Sequence, residues 1–194
     1  MITPNPTNKC YPMISYEEAS PELKEIYDDI KKTLQLPFVL NWFKCQGSNP
    51  ALLKGNWNKL KYTLMQGEVP NVLKQLILYN ISKERGCEYC SHTYGFLADQ
   101  KSSEISEAEN FRATEKMTSP TMPVSYRTAI KVITRVALNP DQTSNDDFEE
   151  LVAAGFSDTE IQELMAQADL ANMLNTISEV SGIKINQELS ETFQ

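Results

Sequence analysis

Apolar side chains recur along this chain at spacings of three and four residues and nowhere in strict alternation. That periodicity marks helices with one buried face, because 3.6 residues complete a helical turn. Leu23, Ile26, Tyr27 and Ile30 make one such stripe. Leu52, Leu53, Trp57, Leu60 and Leu64 make a second. Val72, Leu73, Leu76, Ile77 and Ile81 make a third, wider one. No segment carries the period of two that a half-buried strand needs. The chain is expected to be all-α, a multi-helix single domain over residues 1–194, with roughly eight helices. Its 194 residues suffice for one ordinary core.

The punctuation between the stripes sets the helix boundaries. The first 15 or so residues are rich in Pro, Asn and Thr and read as an extended arm. Ser20 before Pro21 is an N-cap with proline at the first helical position, and Pro37 ends that helix. Phe38–Cys45 reads as a buried helical turn. Asn49-Pro50 opens the next helix, with the Leu52–Leu64 stripe on its inner side, and Gly67 ends it. Another runs from Pro70 to Gly86, the two cysteines follow directly, and a helix resumes through Leu97. A short acidic helix is expected around Ser103–Phe111, then a polar connection over 114–124 and a helix over 125–138. Residues 144–156 carry a capping residue, an acidic first turn and a terminal Gly. Ser157 with Glu160 forms a capping box that starts one long helix to Gly182.

Composition narrows the function classes. The 26 acidic residues outweigh 18 basic ones, for a net charge of −8. Nucleic acid is disfavoured as a partner, since its binding rests on Lys and Arg neutralising phosphates. An anionic membrane surface is disfavoured for the same reason, and no apolar run reaches the ~20 residues that cross a bilayer. The N-terminal stretch lacks the basic head and apolar run of a secretory signal. A cytoplasmic location is the expectation, and thiols there stay reduced.

Chemistry concentrates in "KERGCEYCSHTYGFLADQ", residues 83–100. Cys87 and Cys90 form a CxxC, and His92, the single histidine of the chain, follows. A structural zinc site needs about four ligands, and neither a second CxxC nor a second His exists to supply them. The helical setting also argues against a thioredoxin fold, in which the pair follows a strand. A redox pair remains, beside the plainer reading of two packed cysteines. One turn apart at a helix start, one thiolate can attack and the other resolve the product as a disulfide. The polar neighbours Arg85, Glu88 and Ser91 suit that use better than plain packing. Tyr94, not His92, shares the helical face of Cys90. Cys10 and Cys45 lie far off and read as packing or surface residues.

"PFVLNWFKCQGSNPALLKG" followed by "LKQLILYNISKERGCEYCSHTYGFLA" resembles the carboxymuconolactone decarboxylase/AhpD-like superfamily. "LVAAGFSDTEIQELMAQADLANMLNTISEVSGI" is similar to the C-terminal half of its peroxidase-related branch, and together these stretches span most of residues 37–183. The resemblance implies an AhpD-like all-helical domain with the CxxC at the start of a core helix. It implies alkylhydroperoxidase-like activity, with Cys90 attacking the peroxide and Cys87 resolving, and assembly as a homotrimer or homohexamer. The family relay places a Glu twelve residues before the first cysteine and a His four after the second; here those positions are Gln75 and Tyr94. His92, brought in by a local irregularity of its helix, and Glu84 are the expected stand-ins.

The leading expectation is a CxxC-dependent thiol oxidoreductase that reduces organic hydroperoxides in antioxidant defence. It needs no cofactor, and a dithiol or disulfide reductase partner regenerates it. The alternative is a non-catalytic or weakly active redox-sensing or binding protein on the same scaffold, which Gln75 and Tyr94 favour.

Overall fold

The computed structural model describes residues 9–190, and residues 1–8 of the expected arm lie outside them. Among the described residues there is no strand. Nine α-helices follow one another among these residues: α1 (Pro21–Leu34), α2 (Asn41–Lys44), α3 (Pro50–Met65), α4 (Asn71–Arg85), α5 (Glu88–Gln100), α6 (Val124–Leu138), α7 (Asn145–Ala153), α8 (Asp158–Ser181) and α9 (Gln187–Ser190). None is long and apolar enough to cross a membrane.

The helices gather into two compact units. Among the described residues, one holds those up to Lys61 and from Thr176 onward, and the other holds Tyr62–Asn175. In the first unit α1 begins where the sequence expects, with Ser20 Oγ accepting from the Leu23 N–H at 3.2 Å. Its inner face is Leu23, Ile26, Tyr27 and Ile30, all buried. Trp42, Phe43 and Trp57 meet edge to face, at centroid separations of 5.1 and 5.5 Å, the geometry aromatic quadrupoles favour. Leu52 corrects the sequence expectation: it is 54% exposed, on the outer side of α3, while its neighbour Leu53 takes the core position.

The second unit is built on α4, whose Leu73, Leu76, Ile77, Leu78 and Ile81 are fully buried. α5 and α6 pack against it, and α7 packs on α6. The turn leading into α4 is held by a buried ion pair. Lys74 Nζ lies 2.8 Å from Glu163 Oε2 of α8, with side chains 1% and 18% exposed. Lys74 also donates to the carbonyls of Thr63 and Gln66. The Glu163 carboxylate accepts the N–H groups of Glu68 and Val69 at 2.8 and 3.2 Å. Burial pushes the Glu163 carboxyl up, but the hydrogen bonds from Lys74, Glu68 and Val69 outweigh it and bring the pKa below the usual value.

The acidic helix expected around Ser103–Phe111 does not form; only a 3-10 turn at Ser102–Glu104 does. Serines there bond the local backbone instead: Ser106 Oγ accepts from Ala108 N at 3.3 Å and Ser102 Oγ from Ala113 N at 3.0 Å. Such bonds compete with a helix ladder, and Asn110 ends the stretch at a left-handed φ of 60°.

Candidate active site

The connection between α4 and α5 builds the site. Gly86 closes α4 at φ 74°, and its N–H reaches the carbonyls of Ser82 and Lys83. The left-handed conformation favours glycine, because a Cβ there crowds the backbone. The Cys87 N–H then donates to Ser82 O at 2.9 Å, so the chain turns back within two residues. Cys87 is the N-cap of α5 in extended conformation, φ −78° and ψ 96°. Its carbonyl accepts the Ser91 N–H at 3.0 Å, and Cys90 falls in the first helical turn. Backbone N–H groups of a first turn point outward unsatisfied by the helix and favour negative charge nearby.

Both cysteines are reduced and 1% exposed. Tyr89 and Tyr94, each 6% exposed, stand on the same helix. Burial drives the Tyr94 pKa well above that of an ordinary phenol, and negative charge on Cys90, Tyr89 and Cys87 adds to the effect. Tyr94 is thus a neutral phenol over the physiological range. Beneath the turn, Ser82 Oγ donates to Asn175 Oδ1 at 2.9 Å, both residues buried. Arg85, a candidate for activating a thiolate, instead donates from Nη2 to the Ala137 carbonyl at the end of α6, 3.3 Å away.

Glu84 is exposed on the last turn of α4. His92 is half-buried, and burial lowers its pKa, favouring the neutral imidazole. The helical irregularity that would swing His92 toward Cys90 is absent, since α5 is continuous from Glu88 to Gln100. On a regular helix His92 lies about 200° around the axis from Cys90. Gln75 is buried, its Nε2 3.4 Å from Asn71 Oδ1 and its Oε1 without a hydrogen-bond partner. Thr93, passed over in the sequence, is a buried hydroxyl one turn beyond Cys90; its i+3 spacing from the cysteine was the available signal. Among the described residues, no three His, Cys, Asp or Glu side chains gather as a metal site.

No protein-family model matches the chain, and no curated protein matches it. Solved structures do. An uncharacterized peroxidase-related protein from Silicibacter sp. TM1040 superposes with a TM-score of 0.81 at 19% identity, covering 100% of both chains. The alkylhydroperoxidase AhpD core structure of a peroxidase-related protein from Ralstonia eutropha JMP134 gives 0.79 at 16% identity over 95% of each chain. The debrominase Bmp8 in complex with 2,3,4-tribromopyrrole gives 0.77 at 21% identity over 96% of each. The helices of this chain, with the CxxC at the head of α5, are arranged in the AhpD-like fold.

Proposed function

We propose that this chain is a CxxC-dependent thiol oxidoreductase that reduces organic hydroperoxides. One observation carries the proposal: Cys87 and Cys90 stand at the N-cap and in the first turn of α5, reduced and almost fully buried, within an AhpD-like fold. The first-turn N–H groups favour the thiolate of Cys90. That thiolate attacks the terminal oxygen of the hydroperoxide. The O–O bond breaks, Cys90 becomes a sulfenic acid, and the alkoxide takes up a proton and leaves as an alcohol. The Cys87 thiolate then attacks the Cys90 sulfur, the S–S bond forms, and the oxygen departs as water after protonation. Two electrons have passed from the thiol pair to the peroxide. A dithiol, free or on a disulfide reductase, restores them by exchange, so the cycle uses no organic cofactor. It suits a compartment that keeps thiols reduced, such as the cytoplasm. Burial of both sulfurs shields the sulfenic acid from a second peroxide.

His92 and Glu84 contribute from outside the sulfur face. His92 is a neutral base half-buried on α5, and Glu84 is a solvent-side carboxylate on the last turn of α4, before the Gly86 turn to Cys87. Proton exchange with solvent is the role their positions suit.

Similarity to a debrominase structure holding 2,3,4-tribromopyrrole favours a second substrate class, aryl halides. The buried rings of Tyr89 and Tyr94 suit a flat aromatic guest. Oxidation of the same thiol pair to a disulfide would then turn a carbon–bromine bond into carbon–hydrogen, with release of bromide.

Single substitutions test the roles. Cys90→Ser is expected to abolish consumption of an organic hydroperoxide. Cys87→Ser is expected to leave a sulfenic acid on Cys90, trapped by dimedone. The opposite pattern would reverse the two roles, and activity retained in both variants would remove the CxxC from the chemistry.

A further inference from the structure

The buried side of α5 carries a polar group that the cycle above leaves unused. Thr93 is 3% exposed, and its Oγ1 is buried without a hydrogen-bond partner. A helical threonine has an outlet close at hand, the carbonyl one turn back, and Thr93 does not take it. A buried hydroxyl with no partner destabilises a fold, and valine would fill the same space without that penalty. A group of this kind calls for an explanation outside folding.

Its position supplies one. Thr93 is three residues beyond Cys90 in continuous helix, so the two Cβ atoms are about 5–6 Å apart and about 60° apart around the axis. Helical side chains lean toward the N-terminus, which carries Thr93 toward Cys90. The charged residues of α5 stand elsewhere: Glu88 and Asp99 lie about 160–180° from Cys90, and Asp99 is taken up by Thr114 and Arg112. The Cys90 side of the helix is Cys87, Thr93, Tyr94, Leu97 and Ala98, with no charge among them.

We propose that the Thr93 hydroxyl receives the substrate oxygen at Cys90, donating a hydrogen bond to the alkoxide oxygen as the O–O bond breaks. This rests on Cys90 being the attacking thiol. As the sulfur bonds the terminal oxygen, the O–O electron pair moves to the departing oxygen. The Thr93 O–H stabilises that charge and keeps its own proton, and solvent protonates the alkoxide. Such a donor matches an oxygen leaving group, and so selects hydroperoxides over aryl bromides.

Thr93→Val and Thr93→Ser test it, with three readouts: kcat/KM for cumene hydroperoxide, the rate at which diamide closes the Cys87–Cys90 disulfide, and the melting temperature. Diamide oxidises thiols without delivering an oxygen. Thr93→Val is expected to lower kcat/KM on the order of 10²-fold, the usual loss for one donor to a developing oxyanion. Thr93→Ser restores most of the rate. The diamide rate is unchanged in Thr93→Val, and its melting temperature is equal or higher. Wild-type kcat/KM in Thr93→Val would overturn the proposal while leaving the hydroperoxidase reading intact. Equal slowing with diamide and hydroperoxide would also overturn it, by placing the effect on the sulfur. Wild-type protein inert toward hydroperoxide would remove both.

Discussion

Cys90 lies one helical turn beyond Cys87, with Cys87 still extended at the N-cap and Cys90 already inside α5. Residues three apart at a helix start fall within the Cα separation of about 4.4–6.8 Å that disulfides span. Mild peroxide or diamide should therefore join Cys87 to Cys90 reversibly. Peptide mass spectrometry is expected to show a loss of two hydrogens across this pair, recovered on reduction. A bridge to Cys10 or Cys45, or irreversible sulfonic acid alone, would contradict the assignment. Cys45 is a poor competitor, since burial pushes its thiol pKa up to about 11.

His92 sits about 200° around a regular helix from Cys90, so its removal should cost little. His92→Gln is expected to slow hydroperoxide reduction less than about 10-fold, short of the usual contribution of a direct acid–base group. Its ionisation should instead appear in stability. Burial lowers the His92 pKa below its usual 6.5, so the unfolded chain binds that proton more readily. The associated stability is complete above about 6.5 and is lost as pH falls toward the folded-state pKa. The melting temperature of wild type should drop relative to His92→Gln between about pH 7.5 and pH 5.5. A constant difference would place no titration at His92 in that window.

Glu163→Gln should unsettle the turn before α4, because Lys74 is then a buried charge without its counter-ion. The cost is about 3 kcal/mol, the lower end for a buried pair, since Glu163 keeps 18% of its side chain exposed. For a chain of this size that is roughly a 6–12 °C fall in melting temperature. Adding Lys74→Met should recover part of it. Gly67→Ala should destabilise too: the residue has φ +103°, and a Cβ would sit 2.2 Å from Glu163 Oε2. Melting curves of the three variants beside wild type check the set.

Phe148 and Val152, one turn apart on α7, are 42% and 55% exposed, and Val124 at the start of α6 is 66% exposed. Apolar surface of this kind suits association between copies. Light scattering at micromolar concentration should report a mass above the 22.0 kDa of one chain, in line with a homotrimer or homohexamer. A monomer would count against that assembly.

Helix starts were legible in the sequence because they are local. The Ser20 cap and the Ser157–Glu160 box both form, the latter with hydrogen bonds of 2.8 and 3.3 Å. Leu52 departs from the sequence expectation because adjacent leucines fit the same stripe, and only packing decides that Leu53 goes inward. The sequence reads Ser103–Phe111 as a helix, but Ser106 captures the backbone locally, accepting the Ala108 N–H. In the site, the CxxC was visible from spacing alone. The unpartnered hydroxyl of Thr93 was not, because an unmet hydrogen bond is recognised only when every neighbouring partner is placed.

Catalytic turnover is the most direct test of the central claim. Reduced protein is mixed with a large excess of cumene hydroperoxide and of dithiothreitol, and the alcohol formed per chain is counted against Cys90→Ser. Continuous production of many equivalents of alcohol by wild type, and none above background by Cys90→Ser, is the predicted result. One equivalent or less, ending in a stable Cys87–Cys90 disulfide that the dithiol does not return to the cycle, would show a sensor in place of an enzyme.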